Sequence, residues 1–188
     1  MPDNITSPET TSRNRTKRLP LIGLMTAVLC ILGPFSIPLP VSPVPLSLTN
    51  FVVYITVYIL GRKCGTATVL LYLILGTAGL PVFSGFSGGL GKLAGPTGGY
   101  LLGFLFIALL QGFFTERFPG KKSAAVAGMI LGLAICYTFG TFWLAWQMSL
   151  SFGAALAAGV IPYLPGDVLK IILAAAIGPK LRARVRKI

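Results

Sequence analysis

Two oppositely charged residues lie inside the last long apolar segment of the chain. Asp167 and Lys170 occur in the run Pro162-Tyr-Leu-Pro-Gly-Asp-Val-Leu-Lys170 and are three residues apart. On a helix this spacing places both side chains on one face, about 5–6 Å apart at Cβ. A lysine binds a carboxylate, and an aspartate accepts hydrogen bonds from N–H donors such as an amide or a ureido group. Because an ionisable group at membrane depth costs roughly 2.5–3.5 kcal/mol, the pair is the first candidate for a ligand site.

The same pair also has a purely structural interpretation. A buried aspartate and lysine can neutralise each other and fix the packing of two helices without any ligand. Pro165-Gly166, just before the pair, favours the start or a break of a helix, which would leave free backbone N–H groups nearby. The sequence alone leaves both interpretations open.

The composition indicates that these residues belong to a membrane protein. Of the 188 residues, 54% are hydrophobic and 11% are charged, whereas a soluble domain carries about 25% charged residues. The chain has no histidine, which excludes imidazole metal ligands and a Ser-His-Asp triad. Cys30, Cys64 and Cys136 are far apart in the sequence, and we interpret them as small apolar side chains within helices rather than as a disulfide or metal site.

The apolar segments predict an all-α integral membrane protein with six transmembrane helices, given about 20 residues per span and some latitude for short ones. The segments are Leu19–Leu39, Leu46–Leu60, Thr66–Leu80, Gly98–Phe118, Ser123–Gln147 and Pro162–Leu181. Residues 1–18 are polar, and we expect them to form a disordered cytoplasmic arm. Residues 19–188 are predicted to form a single membrane domain.

The net charge of +12 favours a topology signal over nucleic-acid binding. With the N-terminus inside, every lysine and arginine except Lys92 and Lys170 falls in a segment on the same side. This asymmetry is what the positive-inside rule expects. The basic residues cluster at the two ends and in two short turns, without a basic domain or interleaved aromatic residues. We therefore predict cytoplasmic N- and C-termini, contact with membrane lipid and no nucleic-acid partner.

A glycine-rich stretch, residues 79–100, falls on the predicted outer side. Glycine lets the backbone turn sharply and approach a ligand closely. Phe83, Phe86 and Tyr100 within the stretch are unusual for a loop in water, although a flexible external loop is the alternative. The proline-rich linker and the ion pair fall on the same side. We therefore expect a ligand pocket that opens to the outside.

Nothing in this stretch indicates that the chain hydrolyses ATP. Gly91-Lys92 resembles the end of a P-loop, but Phe86 stands where the first glycine is required and Leu93 where serine or threonine is required. A membrane enzyme acting on lipids or prenyl chains would need clustered carboxylates or histidine, and a single aspartate in the membrane provides too few catalytic groups for that chemistry. We expect a protein that is not an enzyme.

Two motifs taken together resemble the BioY family, the biotin-binding S components of energy-coupling factor (ECF) transporters. They are Gly-Leu-Pro-Val-Phe-x-Gly-Phe-x-Gly-Gly with Gly-Pro-Thr-Gly-Gly-Tyr-Leu after it, and Pro-Tyr-x-Pro-Gly-Asp-x-x-Lys. The resemblance covers roughly residues 20–182. It implies six helices in a bacterial-type cell membrane, capture of biotin from outside, and delivery through an ECF transmembrane coupling protein and two ATPase subunits. Biotin would be the transported substrate, and no cofactor is expected.

The resemblance also implies a set of substrate-binding residues. Asp167 and Lys170 would contact the polar ends of biotin, and the glycine-rich stretch would enclose its ring system. Ser47-Leu48-Thr49 stands where the family often has Thr-Leu-Gln, so Thr49 takes the place of a glutamine contact. The predicted site comprises Asp167, Lys170, Tyr100, Phe83, Ser84, Phe86 and Thr49. The same architecture serving another small vitamin or organic anion is the alternative.

Overall fold

The protein is mostly helical, as a computed structural model shows for residues 8–40 and 42–185, with side chains described from residue 18 onward. The helices are α1 Pro8–Leu32, α2 Thr49–Thr77, α3 Leu90–Ala94, α4 Gly98–Arg117, α5 Lys122–Met148, α6 Phe152–Gly159 and α7 Leu164–Val185. The strands are β1 Ser36–Leu39 and β2 Ser42–Ser47, and a 3₁₀ turn, Ile161–Tyr163, joins α6 to α7.

Four helical stretches are long and apolar enough to cross a membrane. They are Thr49–Thr77, Gly98–Arg117, Lys122–Met148 and the continuous unit Phe152–Val185, and Arg18–Leu32 is a shorter apolar helix. Large apolar side chains such as Ile130, Leu169 and Ile172 are more than half exposed on the outside of the bundle. A bundle that exposes many large apolar side chains faces lipid rather than water, so the chain is a membrane protein.

Helix α2 contains a sharp reversal at Gly61. The backbone there is non-helical, with φ 76° and ψ −175°, a conformation that is open almost only to glycine. A Cβ atom on Gly65 would lie 3.1 Å from the Val57 side chain, whereas eight residues of straight helix would separate them by about 12 Å. The two arms, residues 49–60 and 62–77, therefore fold back on each other. Six membrane crossings stay a prediction.

Replacing Gly61 by alanine should destabilise the protein by about 1–3 kcal/mol, because alanine cannot adopt this backbone conformation without strain. The matched control is Gly23→Ala in α1, where an added Cβ meets nothing within 4 Å. Thermal unfolding of the purified proteins in detergent measures the difference. Equal melting temperatures for the two variants would contradict the strained reversal.

The proline-rich linker forms an antiparallel β-hairpin, which corrects the all-α prediction. Ser36 pairs with Ser47 and Leu39 with Ser42, with an irregularity in between. Prolines fit this two-stranded ribbon because each strand has an unpaired edge on which a missing N–H costs nothing. The first predicted span, Leu19–Leu39, is therefore too long, and α1 ends at Leu32.

Two other boundaries differ from the prediction. Helix α1 begins at Pro8, so residues 8–18 of the expected disordered arm are helical, with a proline at the first position where its missing N–H is tolerated. Residues 1–7 of that arm lie outside the described residues. The predicted connection after α5 contains the short helix α6. The side chain of Ser151, directly before α6, accepts a hydrogen bond from the Ala154 N–H at 3.3 Å. Both α4 and α5 agree with their predicted spans to within one residue at each end.

The packing of α7 against α2 defines the two ends of the bundle. Near the start of both helices Asn50 contacts Asp167, and farther along Tyr58 packs against Gly178. Helix α7 therefore runs parallel to the first arm of α2. The starts of α2, α4 and α7 form what we call the cavity end. The Gly61 reversal, the α4–α5 turn and the last turns of α7 form the opposite end, which we call the basic end.

Candidate functional site

The ion pair expected from the sequence is formed at the cavity end. Asp167 and Lys170 lie in the first two turns of α7, and the lysine Nζ is 2.7 Å from the aspartate Oδ1. Asp167 is 4% exposed and Lys170 is 9% exposed. The helix begins at Leu164 directly after the 3₁₀ turn, so Pro165 lies in the first turn, where a proline is tolerated.

Asn50, which is not among the predicted site residues, binds both charged residues. Its Nδ2 donates to Asp167 Oδ1 at 2.9 Å, and its Oδ1 accepts from Lys170 Nζ at 3.1 Å. The residue lies in the first turn of α2 and is 6% exposed. A signal for it existed, because it is the only asparagine of the apolar segment Leu46–Leu60, and polar side chains at membrane depth tend to be functional.

The two charged groups differ in how many of their hydrogen-bonding positions are left free for a ligand. Lys170 also donates to the Ser47 carbonyl at 2.7 Å, so its three N–H donors all have acceptors within the protein. Asp167 accepts from Lys170, from Asn50 and, through Oδ2, from the Tyr137 hydroxyl. A carboxylate has about four acceptor positions. Asp167 therefore retains one acceptor position, and Lys170 retains no free donor.

A partly open cavity of about 60 Å³ lies beside this cluster. Its polar lining comes from the cluster itself and from tyrosines, and its apolar lining from α4, α5 and the hairpin. The main lining residues are Asn50, Tyr100, Tyr137, Tyr163, Asp167, Lys170, Phe104, Leu133, Cys136, Val44 and Pro45. A few convergent polar groups in an otherwise apolar and aromatic pocket are typical of a small-molecule site.

Tyr100, a predicted site residue, lines the cavity because two glycines make room for it. A Cβ atom on Gly140 would lie 2.3 Å from its Cδ1, and one on Gly159 would lie 2.1 Å from its hydroxyl oxygen. The hydroxyl also lies 3.4 Å from Thr141 Oγ1. The ring is thus held between α5 and α6 while one part of it faces the cavity.

The other predicted site residues do not line the cavity. Phe83 is fully buried and packs edge-on against Tyr72, with ring centroids 5.5 Å apart. Phe86 is 62% exposed and its ring packs against Phe35. Ser84 is half-buried in the same loop, and Thr49 is buried in the first turn of α2. The structure therefore brings Tyr100, Asp167 and Lys170 together and leaves these four residues apart.

The glycine-rich stretch is hydrogen-bonded to two helices of the bundle. Its loop is attached to α2 by a hydrogen bond from the Tyr72 hydroxyl to the Val82 carbonyl at 3.0 Å. Its later part is attached to α5 by a bond from Trp143 Nε1 to the Gly95 carbonyl at 2.9 Å. Tyr100 is the residue of this stretch that reaches the cavity.

The β1–β2 hairpin lines one side of the cavity and is held there through two residues of β2. The Tyr163 hydroxyl donates to the Val44 carbonyl, and Lys170 donates to the Ser47 carbonyl at 2.7 Å. Val44, Pro45 and Ser47 line the cavity. Tyr137 and Tyr163 are not among the predicted site residues. Tyr137 is a single tyrosine in an apolar helix and carries no distinguishing signal, whereas Tyr163 belongs to the Pro-Tyr-x-Pro-Gly-Asp-x-x-Lys motif and could have been found there.

Comparison with known proteins gives one consistent result. The model of the BioY family matches residues 6–187. The chain is 40% identical over 162 residues to the biotin transporter BioY of Thermotoga maritima, covering 85% of this chain and 92% of that protein. It is 36% identical over 172 residues to the biotin transporter BioY of Rhizobium etli, covering 87% and 91%. A crystal structure of the S component for biotin from an ECF-type ABC transporter superimposes with a TM-score of 0.84 at 32% identity, covering 91% of this chain and 93% of that one.

Proposed function

The chain belongs to the BioY family, and we propose that it is the membrane subunit that captures biotin from outside the cell for uptake. The observation that carries this proposal is the buried cluster of Asn50, Asp167 and Lys170 beside an aromatic-lined cavity. Biotin combines an apolar ring system with N–H donors of a ureido group and a carboxylate. The aromatic and apolar lining of the cavity matches the ring system, and the Asp167 carboxylate matches the N–H donors.

The division of labour within the cluster follows from its hydrogen bonds. Asp167 keeps one acceptor position and lines the cavity, so it would accept a ureido N–H. Lys170 would bind the carboxylate only after releasing a present partner, and the Ser47 carbonyl, 2.7 Å away, lies at the end of the hairpin. Tyr100 and Tyr137 would contact the ring system from α4 and α5.

Biotin entry would require the hairpin to move. A cavity of about 60 Å³ holds a few water-sized groups and is too small for two fused rings. The hairpin is attached at this site through carbonyl oxygens, at Val44 and Ser47. Release of these two bonds would open the cavity and at the same time free a donor of Lys170 for the ligand.

Six membrane crossings with both termini in the cytoplasm would suit this arrangement. The two arms of α2 would cross separately, with Arg62 and Lys63 at the turn between them. These residues share the basic end with Lys121, Lys122 and Arg182, and the positive-inside rule places such an end in the cytoplasm. The cavity end would then face the outside of a bacterial plasma membrane.

Active uptake would depend on partner proteins. The glycine-rich stretch lacks the residues of a P-loop, since Phe86 and Leu93 stand where glycine and serine or threonine are required. An ECF coupling protein and two ATPase subunits would supply the energy. Together with them, this chain would provide the substrate specificity.

Calorimetric titration of the purified protein with biotin, beside a panel of other vitamins and organic anions, tests the proposal. We expect saturable binding of biotin at micromolar concentration or below and at least about 100-fold weaker binding of the others. A site whose buried acceptor pairs with an N–H group of the ligand rejects ligands that lack this group, because they leave the acceptor unpaired. Absence of a heat signal for biotin, with a signal for another member of the panel, would transfer the same architecture to that ligand.

A further inference from the structure

A second cavity, of about 280 Å³, lies at the basic end of the bundle. It is formed between the α4–α5 turn and the last turns of α7. Asp167 and Arg182 are 15 residues apart on α7, or about 22 Å along the helix, so this cavity is separate from the biotin site. We call it the basic pocket.

Three cations surround the basic pocket. Lys121 and Lys122 are exposed and begin α5, and Arg182 is half-buried in the last turn of α7. The Pro119-Gly120 turn directs the two lysines here, with Gly120 at φ 82°. Among the residues that the structure describes, no acidic side chain lines the pocket. The nearby Glu116 carboxylate is engaged instead with Arg62, at 3.7 Å from its Nε.

The floor of the pocket carries a buried hydroxyl group without a partner. Tyr58 lines the pocket and is 3% exposed, yet its hydroxyl has no hydrogen-bond partner among the described residues. Buried polar atoms in folded proteins are usually paired with protein groups, ordered water or a ligand, so this hydroxyl is available to a further partner. A hydroxyl beside three cations is a donor set for an oxyanion, and phosphate accepts such charge-assisted hydrogen bonds.

From this geometry we propose that the basic pocket binds the headgroup phosphate of an anionic phospholipid. The pocket lies where the apolar helices end, and the ring of Phe118, which lines it, is 40% exposed. With the membrane crossings proposed above, on which this inference rests, that is the depth of the cytoplasmic lipid headgroups. Basic pockets between membrane helices on the cytoplasmic side are suited to anionic headgroups. The lipid would bridge α7 to the α4–α5 turn and fill the space between them.

Native mass spectrometry of the purified full-length chain, titrated with phosphatidylglycerol or phosphatidylcholine, tests the proposal. We expect one phosphatidylglycerol to bind preferentially. The variant Lys121→Gln/Lys122→Gln/Arg182→Gln should lose on the order of 100-fold in this affinity, since each basic side chain contributes about fivefold. The control Lys63→Gln/Lys180→Gln/Arg184→Gln removes the same charge outside the pocket and should lose only a fewfold.

A variant that lacks a single oxygen atom tests the pocket without changing its net charge. Tyr58→Phe removes only the hydroxyl and should weaken phosphatidylglycerol about 10-fold, while Tyr54→Phe, which removes another unpartnered buried hydroxyl outside the pocket, should leave it unchanged. Biotin binding, measured on every variant, reports that the bundle is intact. If the triple variant cannot be purified, Arg182→Gln and Tyr58→Phe alone decide the question.

Three outcomes would overturn the proposal. Full affinity in Tyr58→Phe would mean that the cations act only as general surface charge. Competition by free inorganic phosphate or glycerol phosphate at equal concentration would assign the pocket to a soluble anion. Unchanged lipid affinity in the triple variant, with loss of its complex with the coupling protein, would make this surface a protein contact.

Discussion

Replacing Asp167 by asparagine is expected to weaken biotin binding by about 10- to 100-fold. The substitution keeps the shape of the side chain but removes the charge that strengthens its hydrogen bond to a ureido N–H. Hydrogen bonds to charged groups contribute about 1.5–3 kcal/mol, and each 1.4 kcal/mol is tenfold in affinity. Titration calorimetry with biotin and with biotin methyl ester measures the loss. Because Asp167 is assigned to the ureido group, the loss should be the same for both ligands.

A purely structural role for the ion pair makes a different prediction. If Asp167 only neutralises Lys170, Asp167→Asn should lower stability and leave biotin affinity unchanged. Removing one partner of a buried pair leaves an uncompensated charge and costs about 3–5 kcal/mol. We therefore expect both Asp167→Asn and Lys170→Met to melt at lower temperature. Affinity and stability are measured on the same preparations, so the two roles separate.

The double variant Asp167→Asn/Lys170→Met completes the comparison. With both charges gone, no unpaired charge remains buried, and the melting temperature should recover above that of either single variant. Biotin binding should not recover, because the acceptor that reads the ureido group is still missing. Recovery of binding together with stability would contradict a direct role of Asp167 in the ligand site.

The ion pair could be found from sequence because charge in an apolar run has few explanations. Asp167 and Lys170 stand out by type alone, and their spacing of three residues holds on any helix. The long spans α4 and α5 could be predicted for a similar reason, since uninterrupted apolar segments of about 20 residues match the thickness of a bilayer. These features depend on local composition, which the sequence states directly.

The rest of the site depends on contacts between distant segments. Asn50 reaches Asp167 across 117 positions, and its importance arises only when α2 packs beside α7. Phe83 and Tyr100 belong to the same glycine-rich stretch, yet Phe83 is enclosed by α2 while Tyr100 starts a new helix facing the cavity. Aromatic residues near many glycines do not reveal which of them packs inward. The hairpin cannot be predicted from its prolines, because they suggest an irregular linker and a two-stranded ribbon with unpaired edges accommodates them equally well.

Replacing Gly140 by alanine should weaken biotin binding as well as stability, through Tyr100. The new Cβ would lie 2.3 Å from Tyr100 Cδ1 and 2.6 Å from its Cγ. These atoms lie near the base of the ring, so a rotation of its tip does not relieve the contact. The ring must move as a whole, and on its free side lies the cavity that it lines. Overpacking of this kind costs about 1–3 kcal/mol, and displacement of the ring into the cavity reduces the room for the ligand.

Gly153→Ala in α6 is the matched control, because an added Cβ there meets nothing within 4 Å. Biotin affinity and melting temperature of both variants are measured under the same conditions. The second variant Gly140→Ala/Tyr100→Leu removes the clashing ring atoms and should regain melting temperature without regaining full affinity. If Gly140→Ala alone lowers the melting temperature but binds biotin as tightly as the parent protein, Tyr100 is not part of the ligand site. Its buried ring would then serve only the packing of α4 against α5.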